Sequence, residues 1–175
     1  MEQFVTSGGA SLWTDAQGTA RKGTVLLCSG GPGCCDYLRP VSEMLEDAYR
    51  VIRFEQRGCG RSTADGRYDL QTALRDMEAI REAYGLDRWI VGGHSWGADL
   101  SLIYALEYPN RAAAALFMAG MGLQRNREWS AAYHANKDAC GEAMPPMDYP
   151  ANMEVNRQGN DSSRTTFNSQ GFTRI

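Results

Sequence analysis

Short runs of apolar residues alternate with stretches in which apolar side chains recur every third or fourth position, and this change of period locates the elements of the chain. Thr24-Val25-Leu26-Leu27-Cys28 is such a run, stopping at Ser29-Gly30-Gly31-Pro32-Gly33, the profile of a fully buried strand feeding a tight loop. Asp36 to Glu46 follows with Leu38, Val41, Met44 and Leu45 at helical spacing. Tyr49 to Phe54 reads as a second buried strand, ending in the polar, glycine-rich stretch from Glu55 to Ser62. From Asp69 to Tyr84, Leu70, Leu74, Met77, Ile80 and Tyr84 step by three or four with charges between them, and Gly85 follows as a stop: an amphipathic helix. Trp89-Ile90-Val91 predicts a third buried strand, Ala98 to Tyr108 a largely apolar helix, and Ala112 to Met118 a fourth buried run after the break at Pro109-Asn110. Ahead of these, Phe4-Val5 and Ser11 to Thr14 read as short strands joined at Gly8-Gly9, with Asp15-Ala16-Gln17-Gly18 as a polar turn.

Strands apolar on both faces that alternate with helices predict an α/β fold, a mostly parallel sheet with helices on each side, over residues 1–122. Beyond Gly122 the texture changes to a helical pattern around Glu128 to Asp138, then Met144-Pro145-Pro146-Met147, then the polar GNDSSRTTFNSQGFTRI, in which no closing element is expected. A boundary near Leu123 therefore separates a core, 1–122, from a second segment, 123–175. The length of 175 residues suits one domain. With 43% hydrophobic and 22% charged residues the chain can bury a packed core. Lys plus Arg number 18 against 21 Asp plus Glu, a net charge of −3, so no cationic field attracts a phosphate backbone or an anionic lipid surface. Nucleic acid and membrane are not expected partners.

The opening MEQFVTSGGASLWTDAQG lacks the basic region and apolar run of a secretory signal, and no stretch reaches the roughly 18 apolar residues of a membrane span, so cytoplasm is the expected compartment. Five cysteines (Cys28, Cys34, Cys35, Cys59, Cys140) are an odd number without metal-finger spacing, which points to free thiols, with any exposed member of the Cys34-Cys35 pair open to oxidation.

Gly93-His94-Ser95-Trp96-Gly97 falls between the strand ending at Val91 and the helix beginning near Ala98, so it matches G-x-S-x-G in the strand–turn–helix setting that gives the motif meaning. At such a bend the serine takes strained dihedrals and its neighbours must be small, hence Gly93 and Gly97. A hydroxyl there is held above the sheet, and the Trp96 N–H at the helix start faces the place where an oxyanion would develop. A second donor has to come from a nearby loop. Gly30-Gly31-Pro32-Gly33 supplies it, with the Gly31 amide assigned and Gly33 or Cys34 as fallback. Nucleotide binding by the same glycines is excluded, because neither G-x-G-x-x-G nor G-x-x-x-x-G-K-[ST] is present.

GGPGCCDYL, FEQRGCGRS and GGHSWG, in that order, resemble the α/β-hydrolase superfamily and within it the proline iminopeptidase-like branch, marked by a GGPG oxyanion loop, a D/E-Q-R-G-x-G-x-S turn and a G-x-S-W-G elbow. The resemblance implies a nucleophile at Ser95, oxyanion amides at Gly31 and Trp96, and a helical cap inserted after the sixth strand, from near Leu123. It also implies hydrolysis of an N-terminal peptide bond or an ester of a short peptide or small molecule through an acyl-enzyme, without metal or organic cofactor. Many relatives have His before GGPG where this chain has Ser29, so the bracing of the loop is expected to differ. Acidic cap residues in aminopeptidases of the branch receive the substrate amine; Glu154 is the candidate, set against a plain surface carboxylate. Gln56, Arg57 and Arg61 either brace their loop or contact substrate, or else are solvated turn residues with a local salt bridge.

A serine nucleophile needs a base within hydrogen-bond reach, and the base needs an orienting group. His94 sits at the elbow position whose side chain points away from Ser95, which suits loop support. His134 lies in a helical part of the presumed cap, and the intervening acids Glu107 and Glu128 do not follow strands; Gly120-Met121-Gly122, after the sixth strand, carries no carboxylate. In relatives the acid and histidine follow the seventh and eighth strands, after the cap. The expectation is therefore that this chain is the N-terminal portion of such a hydrolase, inactive alone, with Ala112 to Met118 left as an exposed sheet edge open to self-association. A non-catalytic binding or assembly module on the same scaffold is the alternative.

Overall fold

The computed structural model describes residues 1–122, 131–132, 135–136 and 152–169, the last segment with side chains as far as Ser162. Its strands form one six-stranded sheet: β1 (Glu2–Ser7), β2 (Ala10–Gly18), β3 (Thr24–Cys28), β4 (Arg50–Phe54), β5 (Trp89–His94) and β6 (Ala112–Met118), in the order β1-β2-β4-β3-β5-β6. β1 and β2 make a hairpin whose two turn residues, Gly8 and Gly9, both have positive φ, the backbone that matches strand twist in a two-residue loop. β2 runs antiparallel to β4, and pairing is parallel from β4 through β3 and β5 to β6. Parallel neighbours need crossovers. α1 (Arg39–Glu43), α2 (Leu70–Ala83) and α3 (Trp96–Glu107) supply them.

Side chains alternate along a strand, so the sheet sorts its apolar residues onto two faces. Leu26, Cys28, Ile52, Phe54 and Val91 meet the stripe Leu70, Leu74, Met77 and Ile80 of α2 and the inner side of α3. Val25, Leu27 and Val51 point the other way, to Leu38 and the half-buried Tyr37, Val41 and Leu45. The α2 stripe starts where the Asp69 carboxylate accepts the Thr72 amide at 2.9 Å, capping the first turn. No described helix is long and apolar enough to cross a membrane.

Several expectations change. The helix expected from Asp36 to Glu46 shrinks to α1, because Pro40 suits only a first turn and Asp36 is turned inward, where it pairs with Arg53. Asp15 to Gly18 is not a turn but the last part of β2: Asp15 is buried and pairs with Arg53 and with the chain's amino group. β5 continues past Val91 to His94, and α3 starts at Trp96. β6 is the outermost described strand and is exposed along most of its length, including Leu116 and Phe117, rather than buried. The polar tail contains a helix, α4 (Met153–Ser169). Ala131, Ala132, Ala135 and Asn136 are helical, in the stretch where a helix was expected; Glu128, His134, Cys140 and the boundary at Leu123 lie outside the described residues.

Two buried arginines fasten the sheet to its loops. Arg53 bridges Asp15 on β2 and Asp36 ahead of α1. Arg57 grips both oxygens of Asp76 on α2, at 3.0 and 2.6 Å, and donates to Asp65 and to the Ser7 carbonyl. Removing one member of such a pair strands the other charge in the interior. Asp76→Ala is expected to lower stability by about 3 kcal/mol, read as a shift in the urea midpoint; an unchanged midpoint would show that the pair is not holding α2 to the sheet.

Candidate active site

β5 ends at His94 and α3 begins at Trp96, leaving Ser95 alone to turn the chain. It does so at φ 55 and ψ −125, a conformation that costs a residue with a side chain roughly 1–3 kcal/mol. The cause is the closeness of the two elements to the end of β3. A Cβ on Gly97 would lie 2.1 Å from the Cys28 carbonyl oxygen, and one on Gly93 would lie 2.3 Å from the Gly97 oxygen. The bend is pinned from the other side by the Ser95 N–H, which donates to the Met118 carbonyl of β6 at 2.9 Å. The Ser95 side chain is half-buried, and its hydroxyl makes no hydrogen bond among the described residues.

The loop after β3 crosses directly in front of this bend. A Cβ on Gly30 would sit 3.0 Å from Ser95 Cβ, so only glycine lets the loop approach. Gly31 has φ 118 and precedes Pro32 in a cis peptide bond. Its amide makes no hydrogen bond among the described residues, whereas the Cys34 amide is turned back to the Gly30 carbonyl at 3.4 Å. The Gly30 N–H donates to Tyr37 Oη at 2.8 Å, and that hydroxyl lies 2.7 Å from His94 Nδ1. From above, α4 closes on the same loop: the Asn152 N–H donates to the Gly33 carbonyl at 2.8 Å, Asn156 Nδ2 to the Pro32 carbonyl at 2.9 Å, and Gly159 rests on the Pro32 ring and near Trp96. Between loop, α2 and α4 a cavity of about 20 Å³, reached by Phe54, Gln56, Tyr68 and Val155, has room for a water but not for a substrate.

The turn after β4 braces this arrangement. Gln56 Nε2 donates to the Ser29 carbonyl at 2.8 Å, and the Ser29 hydroxyl is buried without a hydrogen-bond partner among the described residues. Glu55 accepts the Arg61 N–H at 2.6 Å and the Arg61 guanidinium at 3.0 Å, and the Arg61 guanidinium also stacks on Trp13. The carboxylate fits there because residue 60 is glycine; a Cβ would stand 2.3 Å from Glu55 Oε2. Ser62 then donates to the Glu55 carbonyl and accepts the Trp13 N–H. Gln56, Arg57 and Arg61 thus brace their loop, and Gln56 and Arg57 are buried rather than solvated.

The profile of the α/β hydrolase fold family matches residues 23–158. The chain belongs to that family. It is similar to a proline iminopeptidase of Xylella fastidiosa, 33% identical over 149 residues that make up 78% of this chain and 47% of that protein. It is also similar to a proline iminopeptidase of Xanthomonas citri, 36% identical over 67% of this chain and 38% of that one. Among solved structures, an epoxide hydrolase from Bacillus megaterium shares the fold with a TM-score of 0.65 at 18% identity, over 77% of this chain and 50% of that one. The chain therefore spans less than half the length of the two iminopeptidases.

Within this hydrolase frame Ser95, Trp96 and the Gly31 loop come together at the carboxyl ends of β3 and β5, where open α/β sheets bind their ligands. Glu154 does not join them in any described contact. It is exposed on α4, its carboxylate held down to about 2 by hydrogen bonds from Arg157 and Gln158. Glu107 ends α3. Cys28, Cys34 and Cys59 are buried and Cys35 half-buried, with no disulfide among the described residues; burial pushes the Cys28 and Cys59 thiols up to about 12. Tyr37, Asn152 and Asn156 were not singled out from sequence. The D-Y-L after GGPG was the one local signal for Tyr37, and the amides of a polar tail offered none.

Burial alone would raise the Glu55 carboxyl, but the hydrogen bonds from Arg61 hold it below its ordinary 4.5. A depressed carboxyl adds stability that is complete above the unfolded value and is lost as pH falls through the folded one. Glu55→Gln is therefore expected to cost about 1–2 kcal/mol at pH 7, less than a fully buried pair because the Arg61 end is half-exposed and screened. The gap to the native chain should narrow as the pH falls below 4.5. Denaturant melts of both chains across that range measure it, and a gap independent of pH would assign the role to packing instead of charge.

Proposed function

We propose that the protein is a serine hydrolase of proline iminopeptidase type, in which Ser95 attacks the carbonyl carbon of an N-terminal peptide bond or an ester. The observation that carries the reading is the strained Ser95, its hydroxyl half-exposed and without a hydrogen bond among the described residues, facing a glycine loop close enough to exclude any Cβ at Gly30. As Ser95 Oγ bonds to the carbonyl carbon, its proton passes to a general base and the carbonyl oxygen takes on negative charge. The amides of Gly31 and Trp96 are the donors assigned to that oxygen, aided by the N-terminal end of α3. Collapse expels the amine or alcohol, which takes the proton, and leaves an ester on Ser95 that water then hydrolyses. His94 is not assigned as that base: its described hydrogen bond runs from Nδ1 to Tyr37, and none joins it to the Ser95 hydroxyl. The base and its orienting acid stand outside the described residues in this proposal. The iminopeptidase names of the relatives support the choice of bond, and no cofactor is invoked.

A fluorophosphonate is expected to modify the chain on Ser95, located by peptide mass, and to leave Ser95→Ala unmodified. The modification should be slow, because no described residue offers Ser95 a base, and donors and binding alone retain only residual rate. A binding module on the same scaffold predicts no modification at all, and that result would replace the enzymatic reading.

We also propose that the chain self-associates through β6, whose outer edge has no described strand beside it and which carries the exposed Leu116 and Phe117. Phe117→Lys is expected to move the mass measured by light scattering toward that of one chain; a native chain already monomeric at high concentration would remove the proposal.

A further inference from the structure

The second position of the elbow motif is ordinarily free to vary, yet here it is built into the oxyanion loop. His94 Nδ1 lies 2.7 Å from Tyr37 Oη, and the same hydroxyl accepts the Gly30 N–H at 2.8 Å. The two rings meet edge to face, 5.7 Å between centroids at 85°, which fixes the hydroxyl's direction as well as its distance. A Cβ on Gly30 would touch three groups at once, Tyr37 Oη at 2.7 Å, the His94 carbonyl at 2.9 Å and Ser95 Cβ at 3.0 Å, so the bridge spans a close gap between loop and elbow. The remaining holds on the loop all grip carbonyls: Gln56 at Ser29, Asn156 at Pro32 and the Asn152 amide at Gly33. They set where the loop lies. The Gly30 N–H shares its peptide plane with the Ser29 carbonyl held by Gln56, so Tyr37 and Gln56 together fix that plane; the next plane, between Gly30 and Gly31, follows from it through the Gly30 dihedrals, with its carbonyl accepting the Cys34 N–H at 3.4 Å.

We infer that Tyr37, anchored by His94, is a positioning residue that aims the Gly31 amide at the oxygen of the substrate carbonyl attacked by Ser95. This deepens the serine-hydrolase reading and rests on it. In this inference Tyr37 acts through Gly30, whose N–H it accepts. An oxyanion donor is effective only when it points to the place where charge develops, so losing the bridge weakens the transition state while leaving ground-state binding almost intact.

Using the full chain, the measurements are the rate of Ser95 modification by a fluorophosphonate, resolved into affinity and maximal rate, and amide hydrogen exchange at Gly30 and Gly31. Tyr37→Phe keeps the ring and removes the oxygen. It is expected to lower the maximal rate about tenfold with affinity changed less than about twofold, and to speed exchange at Gly30 without affecting amides of α2. His94→Leu should fall with it. His94→Asn, which returns a polar atom near the Nδ1 position, should recover most of that loss, a rescue that packing alone does not predict. Tyr37→Phe modified at the native maximal rate, or a loss carried entirely in affinity, would overturn the inference. If Ser95→Ala is modified as fast as the native chain, the nucleophile assignment has failed instead, and Gly30 exchange in Tyr37→Phe alone still decides whether the bridge holds the loop.

Discussion

The approach of β5 and α3 to the carbonyl of Cys28 is the constraint from which the rest follows. Two glycines four residues apart let a strand end and a helix start pass over the same backbone oxygen, at separations a single methyl group would make impossible. Nothing but a sharp reversal can join elements so close, and Ser95, the residue left between them, takes a left-handed conformation that a side chain ordinarily avoids. The strain is local, but its support is not. β6 accepts the Ser95 amide, β3 provides the surface being passed over, and the buried α3 keeps the helix start from withdrawing. A bend of this kind survives only where the surroundings over-determine it, and the parallel centre of the sheet does so with strands on both sides of β5.

Much of this was legible in the chain before any coordinates. The buried strands β3 and β4 end in glycine-rich loops, and α2 shows its stripe at Leu70, Leu74, Met77 and Ile80, because burial on one or two faces leaves a periodic mark. The elbow was legible for the same reason the structure has it, since Gly93 and Gly97 flank a serine where strand period gives way to helix. Features stabilised by polar contacts across long sequence separations left no such mark. α4 reads as a polar tail because, among its described side chains, Val155 and Gly159 alone are buried; its attachment runs through Asn152, Asn156, Gln158 and Ser162 to backbone groups some 90 to 124 residues earlier. Asp15 looked like a turn residue because its partner, Arg53, lies on a strand not adjacent in sequence. β6 was misread as buried because an apolar run reports what a strand can cover, not what lies against it.

Buried charge plays a different part here from the one suggested by a turn rich in Glu, Gln and Arg. Each polar residue of Glu55-Gln56-Arg57 faces a different element: Glu55 its own turn, Gln56 the loop after β3, Arg57 the middle of α2 and the β1–β2 hairpin. Beyond them Gly58 at φ 80 and Gly60 at φ 50 turn the chain back, so that Arg61 returns to Glu55. The motif is a junction of loops, which explains why it sits at the ligand-binding end of the sheet with its side chains directed into protein.

The loop in front of Ser95 is then held from three directions by groups of different origin. The β4 turn takes Ser29, the α1 approach takes Gly30 through Tyr37, and α4 takes Pro32 and Gly33. Only Gly31 is left without a hydrogen bond among the described residues, and it is the residue whose φ of 118 turns its peptide away from both neighbours. A backbone amide kept unspent while everything around it is tied is costly to a fold and useful to a site, because a donor fixed in place beforehand need not reorganise when charge appears in front of it. It also makes α4 more than a cover: a helix whose first turn and preceding Asn152 hold the loop carbonyls shares in placing the loop in front of Ser95.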